Sequence, residues 1–218
     1  MSKIFPVIHH YSKELTLEQA DIAHHHQVDG LFLISHRGED NLLPALAQEL
    51  KEKYPELQIG LNFLSTHITQ AVQITHDAGL DMVWGDYCGI SSQGIDATGE
   101  ELIKWKLSHP EMTILASVAF KYQKVDGNPS LAAYLAQKAG FLPTTSGAAT
   151  GSAPSIEKIQ AMSERVNGQL AVASGMTPEN VQSFAPMLSH ILVSTGVSKD
   201  DYRFDEDKLA QFIEKVRA

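Results

Sequence analysis

Eight short apolar runs rich in β-branched residues alternate with eight segments of helical period along this chain, and that alternation leaves few folds open. Strands are expected near Ile4–Ile8, Gly30–Ser35, Gln58–Leu64, Asp81–Asp86, Thr113–Lys121, Phe141–Thr145, Leu170–Ser174 and His190–Thr195. Helices are expected at Leu17–Gln27, Leu42–Lys53, Ile68–Ala78, Glu100–Leu107, Leu131–Ala139, Ile156–Val166, Pro178–Met187 and Lys208–Val216. Eight strand-then-helix units predict a single α/β domain of the (β/α)8 TIM-barrel class. At 218 residues the chain is near the small end of what such barrels use. An open doubly wound sheet ranks second, because His9-His10-Tyr11 stand after the first strand where a glycine-rich dinucleotide fingerprint would be needed.

No Pro/Gly/Ser-rich linker divides the sequence, so residues 1–218 are expected to form one domain. The chain has no apolar run long enough to span a bilayer, and its N-terminus reads directly as a strand, which predicts a cytoplasmic protein without a membrane partner. A formal charge of −9 and the lack of a basic patch argue against nucleic acid. The single cysteine, Cys88, excludes an internal disulfide and is expected to be structural. Barrels of this kind often pair, although nothing in the sequence demands a homo-oligomer.

Helix punctuation fits this register. Thr177 before Pro178 reads as an N-cap, and Gly30, Gly79 and Gly140 occupy places suited to left-handed C-terminal caps. In a barrel the ligand meets the C-terminal ends of the strands, so the polar residues closing each apolar run are the candidates. Alternation turns Ser117, Ala119 and Lys121 inward and Ile114, Val118 and Phe120 outward; it also turns Asn62 inward and sets Asp86 on the face of Met82 and Trp84. Asn62, Asp86 and Lys121 are therefore expected to converge. Lys121 reads as a charge partner for a ligand, a Schiff-base nucleophile, or a structural ion pair with Asp86; Asp86 reads as a general acid/base or as the lysine's counter-charge.

Three strand ends in a row, Phe141–Gly151, Val172–Asn180 and Ile191–Val197, close in Ser, Thr and Gly, so main-chain amides and hydroxyls can gather around an anion. Thr145, Ser146, Gly147, Thr150, Gly151, Ser174, Gly175, Thr195 and Gly196 are the expected contacts of a phosphorylated small molecule. Tight turns account for one such site more easily than for three. The run His24-His25-His26 cannot hold one ion from a single helix and reads as a solvated face. His9, His36 and His67 follow the first three strands and could meet at the mouth, but no His-Xaa-His pair closes a strand. No metal or cofactor is expected, and His9 is read as a ligand contact or proton carrier.

With those residues in place, most of the chain resembles the BtpA family, also called SgcQ-like, among the phosphate-binding barrels. Gly60-Leu-Asn-Phe-Leu64 is similar to its Gly-Val-Asn-Val-Leu strand, Val28-Asp-Gly30 to its second-strand approach, and His9 to its first-strand histidine. Thr144–Gly151 is similar to its Thr-Gly-Ser-Ala-Thr-Gly, Ala173–Val181 to its Gly-Ser-Gly-Val-Thr-Pro-Glu-Asn-Val, and Gln93-Gly94 also fits. Departures are as specific. Ser65-Thr66-His67 stand for Arg-Asn-Asp, Ser35-His36 for Glu-Asn, Ser117-Val-Ala-Phe-Lys121 for Asp-Val-His-Val-Lys, Asp86 for an asparagine and Ser194-Thr-Gly196 for Gly-Thr-Ser. The resemblance implies a phosphosugar or nucleosidase-type enzyme whose anion cradle is kept and whose fifth-strand acid and histidine are lost. The substrate-binding set then includes Asn62 and Gln93, with Asp86, Lys121 and His9 as the catalytic candidates. The alternative is a non-catalytic binding or assembly factor that retains the cradle; a lyase acting through Lys121 is a third reading.

Overall fold

The computed structural model describes residues 1–218. Ten strands form: β1 (Lys3–His9), β2 (Gly30–Ile34), β3 (Gln58–Asn62), β4 (Met82–Gly85), β5 (Ile90–Ser91), β6 (Gly94–Ile95), β7 (Thr113–Ser117), β8 (Leu142–Thr145), β9 (Ala171–Ala173) and β10 (His190–Val193). Eight of them close into a parallel barrel in the order β1-β10-β9-β8-β7-β4-β3-β2, as the alternation predicts. The remaining two, β5 and β6, make a small antiparallel hairpin between β4 and the next helix, which the sequence reading did not foresee.

Eight helices surround the strands: α1 (Lys13–His25), α2 (Leu43–Lys53), α3 (Ile68–Asp77), α4 (Ala97–Ser108), α5 (Pro129–Lys138), α6 (Ile156–Arg165), α7 (Val181–Phe184) and α8 (Glu206–Arg217). Four start two to four residues before the expected positions, at the caps Ser12, Asp96, Asn128 and Asp205, whose side-chain oxygens each accept an amide of the first turn. Apolar periodicity locates a helix's buried face, whereas the cap locates its beginning. α7 departs most, with a single α-helical turn followed by a 3-10 turn over Ala185–Met187. Asn180 accepts the Thr177 amide (2.9 Å) and donates to the Gly175 carbonyl (2.8 Å), holding 177–180 as a side-chain-pinned turn. That turn replaces the expected helix start at Pro178, and Pro186, which lacks an amide, ends α7 after Phe184.

Two apolar shells result. Ile4, Leu31, Ile59, Val83, Ile114, Val172 and Ile191 face the helices, while Phe5, Phe32, Met82, Trp84, Leu115, Leu142 and Leu192 fill the barrel. Gly60 belongs to the inner shell because any Cβ there would run into the Phe32 ring. Gly79 (φ +68°) and Gly140 (φ +84°) take the left-handed conformation expected of them; Gly30 does not. Gly30 opens β2 against the Gln58 carbonyl and the Phe5 ring, and Gln27 (φ +57°) makes the left-handed turn instead. Alternation also fails at one place. β7 stops at Ser117, Ala119 adopts φ +46°, and Phe120 turns inward onto Trp84 (centroids 5.9 Å) rather than out to the helices.

Candidate functional site at the barrel mouth

The C-terminal ends of β1, β2, β3, β4, β9 and β10, with the loop after β7, enclose a central chamber of about 260 Å³ whose floor includes Trp84 and Leu192. Asn62, Asp86 and Lys121 all line it. Asn62 is fully buried; its amide nitrogen donates to the Trp84 carbonyl (2.8 Å) and reaches Asp86 Oδ1 at 3.5 Å, while its own Oδ1 has no partner. A buried acceptor left open in this way costs free energy unless a ligand donor meets it.

Burial raises the Asp86 carboxyl above its ordinary range, against the lowering influence of the Asn62 hydrogen bond and the Lys121 charge. Burial lowers the Lys121 amine, and Asp86 partly restores it. The two act on each other's charge without a direct salt bridge, so the structural pair is not formed as a contact. Lys121 Nζ instead donates to Thr150 Oγ1 at 3.2 Å, and its backbone amide is held by Ser146 Oγ at 2.8 Å. An acid of raised pKa and a cation therefore flank one cavity without direct contact.

His9 lies across the chamber, its Nε2 3.3 Å from Ser194 Oγ and its ring 5.0 Å from His36 edge to face. Burial foremost, then the His36 charge, hold its pKa down to about 4, so it is a neutral imidazole near pH 7. His67 does not join them; it is exposed at the start of α3 against Thr69. No three metal-ligand side chains gather anywhere in the chain. Cys88 is buried beneath the Gly85 carbonyl with its thiol pushed up to about 12.

The Ser/Thr/Gly ends divide. Thr150, Ser174, Gly175, Thr195 and Gly196 line the chamber, with Gly151 beside them at the rim, its amide bonded to Ser174 Oγ (3.0 Å). The Ser174, Gly175 and Met176 amides donate to no other group of the chain, and Asn180 turns the Gly175 carbonyl away. Thr145, Ser146 and Gly147 face elsewhere, contrary to expectation. β8 ends at Thr145 and the chain bends outward over α6, so Thr145 Oγ1 donates to the Ala119 carbonyl (3.1 Å) and Ser146 Oγ is used on Lys121 and Gly147. Gly147 lies on the Ser152–Ala153 backbone. Gln93 is in a side lobe beyond Asp86.

Sequence reasoning missed Ser194, Tyr122 and Lys158. Ser194 was legible, since it lies two residues beyond inward Leu192. Tyr122, left-handed at φ +66° and bonded to Thr150 (3.2 Å), gave no signal. Lys158 on the first turn of α6 donates to the carbonyls of Ala119 (2.7 Å) and Ser146 (2.8 Å), and burial without an acid partner lowers its amine to about 8.

The fold is shared widely. A structure described as native KDPGal matches with a TM-score of 0.70 and 15% identity over 98% of this chain and 94% of its own. Phosphoribosyl anthranilate isomerase in complex with reduced 1-(o-carboxyphenylamino)-1-deoxyribulose 5-phosphate matches at 0.69 and 16%, over 100% of this chain and 99% of its own. KGPDC from Streptococcus mutans matches at 0.68 and 13%, over 100% and 98%. The likeness is one of fold. No family model and no curated protein matches the sequence, and no helix is long and apolar enough to cross a membrane.

The histidines yield a first expectation. His9 at the mouth and His190, stacked on Phe5 at the opposite end of the barrel (5.5 Å), both have pKa values lowered by burial to about 4. Between pH 6.5 and 4 the unfolded chain binds protons that the folded chain refuses at these two sites, so their contribution makes stability fall on acidification. Each proton is worth about 1.4 kcal/mol per pH unit. Asp86 has the opposite sign just above the ordinary carboxylate range, because its folded pKa is raised. Urea titrations across this window should show the slope flatten by about one proton in His190→Asn and again in His9→Asn; slopes unchanged by either substitution would contradict neutral burial.

Proposed function

We propose that this protein is an enzyme of the phosphate-binding barrel type acting on a phosphorylated sugar or nucleoside-like small molecule. The observation that carries the reading is the convergence of Asp86, Lys121 and Asn62, whose buried Oδ1 is unpaired, in one chamber whose opposite wall is Ser174, Gly175, Thr195 and Gly196. The amides of Ser174, Gly175 and Met176, with the Thr195 hydroxyl, cradle the phosphate, and Lys121 neutralises negative charge that the amides leave. Asn62 Oδ1 accepts a substrate hydroxyl. Asp86 acts as general acid/base, because a carboxyl with its pKa raised by burial can hold and return a proton closer to neutrality. Neutral His9, beside Ser194, is a second hydrogen-bonding group for the sugar. The likeness in fold to a structure holding a deoxyribulose 5-phosphate derivative is in keeping with this chemistry, as is the resemblance to the BtpA family through Gly60–Leu64 and Ala173–Val181.

A thermal-shift screen against phosphosugars, nucleosides, nucleotides and divalent metals tests the reading. A ligand at a hundred times its Kd stabilises by about 2.7 kcal/mol, which at about 2–4 °C per kcal/mol for a chain of this size raises the midpoint by about 5–10 °C. The expected responders carry a phosphate, and Lys121→Met should remove most of their shift. Silence toward every phosphate ester would overturn the proposal.

A further inference from the structure

The central chamber is smaller than the roughly 300–1,000 Å³ of ordinary small-molecule sites, so a phosphosugar nearly fills it. It is not the whole cavity. A second lobe of about 580 Å³ opens beside it, between the β5–β6 hairpin and the loop running from Phe120 to Gly127. The two share three residues, Asp86, Lys121 and Tyr122. The acid and the cation thus stand where one compartment passes into the other.

The lobe is cross-braced. Gln123 Nε2 donates to the carbonyls of Asp86 (2.7 Å) and Ser117 (3.1 Å), and the Ser92 amide donates to Asp126 Oδ2 (2.8 Å), tying hairpin to loop. Tyr87 donates its hydroxyl to Asp96, the cap of α4. Ile90 and Phe120 are buried in the lobe's wall, but its other three apolar side chains are turned to solvent. Val125 is 92% exposed, Tyr122 80% and Tyr87 55%, and all three line this one cavity. Single exposed apolar side chains need no explanation, but three around a braced concavity that continues a polar site do. Among the lobe's polar lining, the Gln93 side chain makes no bond within the chain.

We infer that this lobe holds a flat aromatic or heteroaromatic ring attached to the sugar phosphate, packed against Tyr122 and Val125. The inference rests on the phosphosugar reading of the central chamber and narrows its substrate class to ring-bearing phosphosugars. The ring lies beyond Asp86 and Lys121, so the linkage joining ring to sugar faces that pair. Gln93 at the rim is placed to meet a polar edge of the ring.

Calorimetric titration with ribose 5-phosphate, adenosine, and the 5′-monophosphates of adenosine and uridine tests it on the full chain. At least one nucleotide should bind tenfold or more tighter than ribose 5-phosphate. Val125→Asp, at an exposed loop position that leaves the fold intact, should erase that advantage while ribose 5-phosphate binding is unchanged. Tyr122→Asn, a residue that tolerates the left-handed backbone there, should also erase the advantage by removing the ring face; because Tyr122 lines the central chamber too, the ratio of nucleotide to ribose 5-phosphate affinity is what this variant reads. Equal binding of ribose 5-phosphate and both nucleotides would overturn the ring lobe and leave the phosphate reading standing. A nucleotide advantage that survives both substitutions would also overturn it. Adenosine binding that depends on Val125, with no response to ribose 5-phosphate, would uphold the lobe and sink the phosphate reading instead, and no binding of any of the four would overturn both.

Discussion

Gly196→Val and Gly175→Val are each expected to destabilise the protein by about 3 kcal/mol or more, lowering its thermal midpoint by about 6–12 °C. A Cβ at Gly196 falls within the Met176 carbonyl oxygen and 2.9 Å from its carbon; one at Gly175 falls within the Ala153 amide nitrogen and the Ser152 carbonyl. These are backbone atoms, which cannot swing aside as a side chain can. Gly175 also has φ +76°, where a β-branched residue adds roughly 1–2 kcal/mol of strain. Gly127 is the control: it has open space and no left-handed backbone, so Gly127→Ala should stay within about 0.5 kcal/mol of wild type. Midpoints of Gly196→Val and Gly127→Ala that coincide would disprove the interlock.

That interlock explains why the Ser/Thr/Gly ends were only half readable. The sequence shows glycines after three consecutive strands, and close approach by a ligand was one physical reason for them. The structure supplies another for several: Gly147 and Gly175 both lie against the Ser152–Ala153 backbone, and Gly196 lies on Met176. A glycine permits approach without specifying what approaches. Ser146 shows the same ambiguity, since its hydroxyl presents the Lys121 amide rather than facing the mouth.

Where the argument rested on period, it carried well. The two-residue alternation placed Asn62 and Asp86 inside the barrel mouth, because β3 and β4 remain regular up to those positions. It failed in 119–122, where the left-handed residues Ala119 and Tyr122 are neither glycine nor asparagine and nothing in the sequence announces the reversal. Lys121 reached the mouth even so, held there by Ser146 and by Lys158 gripping the carbonyls on either side. Those contacts cross 12 to 39 residues of chain, and no local pattern encodes them.

Asp86→Asn is expected to separate activity from stability. For any phosphorylated sugar the protein turns over, kcat should fall by about 10²–10⁴-fold, the usual contribution of a positioned proton carrier. Stability should move the other way. The Asp86 pKa is raised in the folded state, so at pH 7 its charged form carries a desolvation cost that the unfolded chain does not, and stability is lost as pH rises through that pKa. Asparagine keeps nearly the same shape and removes the charge, so the thermal midpoint at pH 7 should hold or rise, and the difference from wild type should shrink toward pH 4. A residue whose removal stabilises the fold while abolishing turnover is retained for its chemistry. A binding or assembly factor would behave differently: with no turnover to lose, Asp86→Asn would change only the affinity for the anion, which would strengthen as a negative charge leaves the chamber. If the midpoint instead drops by several degrees, Asp86 is a structural counter-charge to Lys121, and the acid/base role falls with it.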